Sequence, residues 1–139
     1  MKFNSQICTT KEQSERLLAL GLKKETADIV IRPDNTLIVI NENSFIYHNL
    51  EKATQEGYLP AWSLHRLIEM VPTAIPDKSD IIHYLLTVDG VSISYHYFGE
   101  VSWKIWRIWN DKELYDNVID CIKWLIGEGY FNKEYLDEL

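Results

Sequence analysis

Apolar and polar residues alternate most regularly between Ile81 and Phe98, on either side of Asp89-Gly90. A period of two sends successive side chains to opposite faces of a strand. An Asp-Gly pair between two such runs predicts a hairpin with a two-residue turn. That turn sets a register: Val88 opposite Val91, Leu86 opposite Ile93, Tyr84 opposite Tyr95 and Ile82 opposite Tyr97 on one side. The other side pairs Thr87 with Ser92, Leu85 with Ser94 and His83 with His96. One face is then almost wholly apolar and the other mostly polar, as in an antiparallel sheet with one buried face.

Elsewhere the period lengthens to that of a helix. Thr9 and Thr10 precede Lys11-Glu12-Gln13, a capping-box start. The helix carries Leu17, Leu18 and Leu20 and stops at Gly21, with Leu22 packing back on Leu17. Lys23–Val30 reads as a second short helix and Pro33-Asp34-Asn35 as a turn. Thr36–Ile40 and Ser44–His48 read as strands joined by the 41–43 loop, and residues 49–61 as a polar connector. Ser63 caps a helix bearing Leu64, Leu67, Ile68 and Val71, with Trp62 and Leu67 at staple positions and Pro72 ending it. His65, Arg66 and Glu69 fall on its wet side, and 72–80 is a loop. After a reversal at Gly99-Glu100, a third strand over 101–108 sets Trp103, Ile105 and Arg107 against Lys104, Trp106 and Ile108. The final long helix is capped by Asn110, with Glu113 at the capping-box position and Trp109 stapled onto Leu114. It bears a stripe of Leu114, Val118, Ile122, Leu125 and Ile126, widened by Tyr115 and Ile119, and Gly127 and Gly129 end it. Asn132 caps a last turn reaching Leu136.

These elements predict an α+β fold: one domain over 1–139, an antiparallel meander around the 81–98 hairpin, and helices near 10–20, 63–71 and 111–126. The composition fits a packed globule, with 46% hydrophobic and 12% aromatic residues and few Gly or Pro. A formal charge of −7 disfavours a broad nucleic-acid or anionic-membrane footprint. The start Met1–Gln6 has no apolar leader core, and no run approaches the ~20 apolar residues of a spanning helix, so a cytoplasmic setting is expected. Cys8 and Cys121 form no metal-type spacing and read as reduced thiols, Cys121 as a small core residue.

Candidate chemistry is sparse. There is no nucleophile motif, phosphate-cradling glycine loop or cofactor motif, and enzyme activity is not indicated. His83 and His96, as cross-strand neighbours, are the best metal candidates, but no third ligand is evident; His48 and His65 are isolated. Glu113, Asp116 and Asp120 share a helix face with Lys123 and read as a solvated, charge-paired face. The run Glu12–Val30 resembles a helix-turn-helix that would offer Lys23 and Lys24 to phosphate. Against it, Leu17 stands where such motifs prefer a small residue, Arg16 where they prefer an apolar one, and Glu25 and Asp28 would face the DNA backbone. Of five tryptophans, Trp62 and Trp109 have staple roles and Trp124 adjoins the helix stripe. Trp103 and Trp106 remain, on opposite faces of a strand, and with Tyr130 and Tyr135 they are the candidate partner-binding residues. The leading expectation is a non-enzymatic interaction protein with an unidentified protein partner. DNA binding through Lys23 and Lys24, and metal binding through His83 and His96, are the alternatives; self-association is left open.

Three segments also carry a likeness: Cys8–Gln13 through Leu20–Asp28, Pro60–Leu64 to Pro72, and Leu114–Asn117 through Gly129–Asn132. They resemble a group of small uncharacterised proteins of gut-bacterial genomes, often within prophages or mobile elements. The resemblance covers about half the chain, leaves Pro33–Leu50 aside, and implies a phage- or element-encoded accessory protein. It transfers no catalytic or binding residue.

Overall fold

The computed structural model describes residues 5–41 and 43–138. Met1–Asn4, within the start read above, and Glu42 of the expected 41–43 loop lie outside the described residues. The fold is α+β with two antiparallel sheets, one in each of two compact units. Of the described residues, those up to 68 and from 133 on make the first unit, and Glu69–Asn132 the second.

In the first unit, helix α1 (Lys11–Ala19) starts as its sequence requires. The Thr10 side chain accepts from the Gln13 N–H, and the Gln13 side chain accepts from the Thr10 N–H, a complete capping box. It ends in a Schellman arrangement: Gly21 has φ 100°, the Leu22 N–H donates to the Leu17 carbonyl, and the Gly21 N–H to that of Leu18. Leu17 and Leu22 are both fully buried.

The expected second helix over 23–30 is a correction. Only a 3₁₀ turn forms at Lys24–Thr26, and the chain then extends into strand β1 (Ile29–Ile31), buried along its whole length. Three successive β-branched residues favour the strand, since χ1 crowding penalises them in a helix. Strand β2 (Leu37–Val39) follows the expected turn, where Asn35 adopts φ 69° and the Asp34 carboxylate accepts from Thr36. The strand expected over 44–48 is instead helix α2 (Phe45–His48), begun by mutual bonding of Asn41 and Ser44. The 49–61 connector contains helix α3 (Leu50–Gln55), a left-handed Gly57 at φ 93° and strand β3 (Leu59–Ala61). The sheet order is β2-β1-β3. Helix α4 (Leu64–Met70) begins at Ser63, whose hydroxyl accepts from the Arg66 N–H, and both staple residues, Trp62 and Leu67, are fully buried. The chain end returns to this unit through a bridge of Leu22 with Leu136.

The second unit is a four-stranded meander, β4 (Ala74–Pro76), β5 (His83–Val88), β6 (Ile93–Phe98) and β7 (Trp103–Trp109), in that order, with helix α5 (Leu114–Glu128) against β6 and β7. Strand β4 lies in the expected 72–80 loop. The 101–108 strand is found. The 81–98 hairpin exists, but its turn is one residue later than expected: Val88 pairs with Ile93, Leu86 with Tyr95 and Leu85 with His96. The cause is Asp89. Its carboxylate accepts from the N–H groups of Val91 and Ser92 and from the Ser92 hydroxyl, and its own N–H donates to the Ser92 carbonyl. Asp89 therefore opens the turn, as an Asx residue does, and does not occupy a left-handed central position. A one-residue move of the turn shifts the register by two, and an even shift keeps the side chains of the paired strands on their expected faces, while Val91, expected opposite Val88, moves into the turn and is exposed.

Helix α5 starts at Glu113, not Asn110. Asn117, fully buried, holds that start: its Oδ1 accepts from the Lys112 N–H, and its Nδ2 donates to the carbonyls of Lys112 and Val91. Trp109 meets Trp124, at 5.4 Å between ring centres, in place of the expected staple onto Leu114. Gly129, at φ 79°, ends the helix, and Gly127 lies within it. Val118, Ile119, Cys121, Ile122 and Leu125 are fully buried, as are Ile93 and Tyr95 on β6.

Candidate interaction surface

Strand β7 has the sequence Trp-Lys-Ile-Trp-Arg-Ile-Trp. Regular alternation would place Lys104 and Arg107, three apart, on opposite faces. A bulge overrides this: Tyr95 lies opposite Arg107 and its neighbour His96 opposite Ile105, leaving Trp106 as the extra residue. Beyond the bulge the faces exchange. Trp103, Ile105 and Ile108 share one face of the sheet, while Lys104, Arg107 and Trp109 share the other, to which Trp106 also turns.

On the face toward α5 the aromatic residues form a connected cluster. Trp106 stacks on Tyr84 at 3.7 Å and meets Trp124 edge-on at 5.5 Å. Tyr84 meets Tyr97 edge-on, and Tyr130 adjoins both Trp106 and Trp124. The Arg107 guanidinium lies over the Trp106 and Trp124 rings, at 5.8 and 5.5 Å, so a cation covers part of a half-buried aromatic surface. Trp106 is thus a packing residue, while Tyr130 is 40% exposed at the edge of the cluster.

The opposite face is open. Phe98, Trp103, Ile105 and Ile108 are 58%, 56%, 55% and 41% exposed, with the exposed Leu85 of β5 on the other side of His96 from Ile105. Trp103 and Phe98 pack edge-on at 5.5 Å. At the centre of this face the Ser94 hydroxyl bonds His96 Nε2. Adjacent exposed apolar side chains on a sheet are what solvent disfavours most on a surface and partner proteins cover.

The remaining candidates do not come together as expected. His96 faces Leu85 in the ladder, and His83 sits near Asp80 at 3.8 Å, so the two imidazoles are not the direct cross-strand pair that the expected register placed together. Among the described residues no group of three or more His, Cys, Asp or Glu could hold a metal ion. Lys23 and Lys24 enter a 3₁₀ turn and then a strand, so the recognition helix of the helix-turn-helix alternative is not formed. Tyr135 belongs to the other unit, where its carbonyl accepts from the Lys23 N–H. Asp120, on the helix face read as charge-paired, does pair with a cation, Lys112, at 2.8 Å.

Both thiols are free and buried. Burial pushes Cys121 far up, and burial, with the Asp28 carboxylate second, raises Cys8; thiols so placed are poor nucleophiles. A cleft of about 240 Å³ beside Arg66 is smaller than most small-molecule sites, and the Arg66 guanidinium is engaged with the Thr26 carbonyl. No helix among the described residues is long and apolar enough to cross a membrane.

Sequence reasoning missed Phe98, Ile105, Ile108 and Arg107 as surface residues. The signal was present in the odd spacing of Lys104 and Arg107 within an otherwise apolar strand, which only a bulge brings to one face.

The class that the fold defines is an α+β protein built on two antiparallel sheets. Comparison with protein-family models, curated proteins and solved structures finds no match.

Proposed function

We propose that this chain is a non-enzymatic interaction protein, an accessory protein of the phage or mobile-element type its sequence resembles, and that it binds a protein partner at β7 and the open face beside it. The observation carrying this reading is the exposure of Phe98, Trp103, Ile105 and Ile108 on one continuous face. Interface cores favour large aromatic and aliphatic anchors of this kind. The acidic balance of the whole chain, −7, fits a protein partner better than a polyanion.

The test is affinity capture from nuclease-treated lysate of cells that naturally express the chain, comparing the wild type with Ile105→Asp. A stoichiometric protein held by the wild type and lost by the variant, with unchanged thermal unfolding, supports the reading. A partner held equally by both, or recovered only with nucleic acid present, refutes it.

A further inference from the structure

Resting on that interaction reading, we propose that the bound segment is an extended strand that adds to the free edge of β7 and carries acidic side chains alternating with apolar ones. Strand β7 ends the sheet order, and no other described strand pairs with its outer side. The direction of its backbone groups follows from the hairpin. The Gly99 N–H donates to the Ser102 carbonyl at 2.8 Å, which makes 99 and 102 a hydrogen-bonded pair. Such pairs alternate along an antiparallel ladder, so the N–H and C=O groups of Trp103 and Ile105 point away from β6. An edge presenting backbone groups in this way is the template for strand addition.

Side chains and charge then specify the added strand. Residues opposite Trp103 and Ile105 would project over the open face, beside two side chains more than half exposed, and so would be apolar. The residue between them would project to the other face, next to Lys104 and near Arg107. From Val101 to Asn110 these are the only charged residues, and both are basic, in a chain whose net charge is −7. An acidic side chain there meets opposite charge. A second copy of β7 would instead set Lys104 and Arg107 against their own kind, which disfavours self-pairing.

The experiment uses the full chain and a fluorescent peptide of about nine residues, the length of a long edge strand, with valine and glutamate alternating. Its comparators are the valine–lysine peptide and the valine–glutamate peptide N-methylated at its valine amides. Fluorescence anisotropy should give the acidic peptide an affinity at least about tenfold above both comparators, falling as salt rises. Lys104→Gln combined with Arg107→Gln should lose most of that preference while the chain still unfolds cooperatively on heating, with a small loss from the Arg107 contact to the Trp106 and Trp124 rings. Equal affinity for acidic and lysine peptides, undiminished binding of the N-methylated peptide, or no binding of the acidic peptide at millimolar concentration would overturn the proposal. So would a dimer in sedimentation equilibrium that Ile105→Asp dissociates. If lysate capture is abolished by Ile105→Asp but untouched by the Lys104 and Arg107 substitutions, the interaction reading stands and the acidic-strand proposal falls.

Discussion

At the residue scale, the clearest lesson lies in three turn aspartates. Asp34, Asp77 and Asp89 each accept hydrogen bonds from a Ser or Thr hydroxyl two or three residues on and from nearby backbone N–H groups. These bonds favour the ionised form. For Asp34 the Thr36 hydroxyl matters most, for Asp77 that of Ser79, and for Asp89 the Val91 N–H; all three carboxyls lie below their ordinary value of 3.8. A carboxyl whose folded value is depressed stabilises the fold above its unfolded value and loses that effect as pH falls through the folded one. Urea unfolding followed from about pH 5 downward should therefore lose stability more steeply in the wild type than in a triple Asp→Asn variant; parallel curves would count against these bonds. Gly21 carries a second residue-scale prediction. At φ 100° an added Cβ meets nothing within 4 Å, so Gly21→Ala is penalised by conformation alone. It should cost about 1–2 kcal/mol in urea denaturation, the ordinary penalty for a left-handed L-residue.

At the element scale, the α1 cap box and Schellman end, the α4 start and the α5 stripe were legible in sequence because each depends on residues within one or two turns. The errors fell where an element depends on distant partners. Ile29–Ile31 has no alternation to mark a strand because it is buried throughout between β2 and β3. Strand β4, three residues long and containing Pro76, is recognisable only through its pairing with β5. The α5 start depends on Asn117, whose role as a buried polar bracket between the helix and the 89–92 turn no local pattern reveals. Asn117→Leu would leave the carbonyls of Val91 and Lys112 and the Lys112 N–H without their partner. The expected loss is about 2–4 kcal/mol by chemical denaturation, and a loss below 1 kcal/mol would mean that water replaces the side chain.

At the scale of the whole molecule, a net charge of −7 adds repulsion between copies of the chain, while the apolar side chains of Phe98, Trp103, Ile105 and Ile108 stay exposed on one sheet face. Replacing Trp103 and Ile105 by serine should cost about 1–3 kcal/mol of unfolding free energy, because somewhat under half of each side chain is buried by folding. The same variant should stay soluble at higher ammonium sulfate concentration than the wild type, since salting-out acts on exposed apolar surface. A loss well above about 4 kcal/mol would show that this face is covered in the folded chain. By itself the sequence determined the α+β class, the helices with local caps, and the division of the 81–98 hairpin into an apolar and a polar side, because propensity, capping and alternation are properties of neighbouring residues. Tertiary structure alone decided the register, the second sheet and the bulge at Trp106. Each of these is set by which backbone groups find partners across the chain, and that choice places Trp103, Ile105 and Ile108 together on the open face.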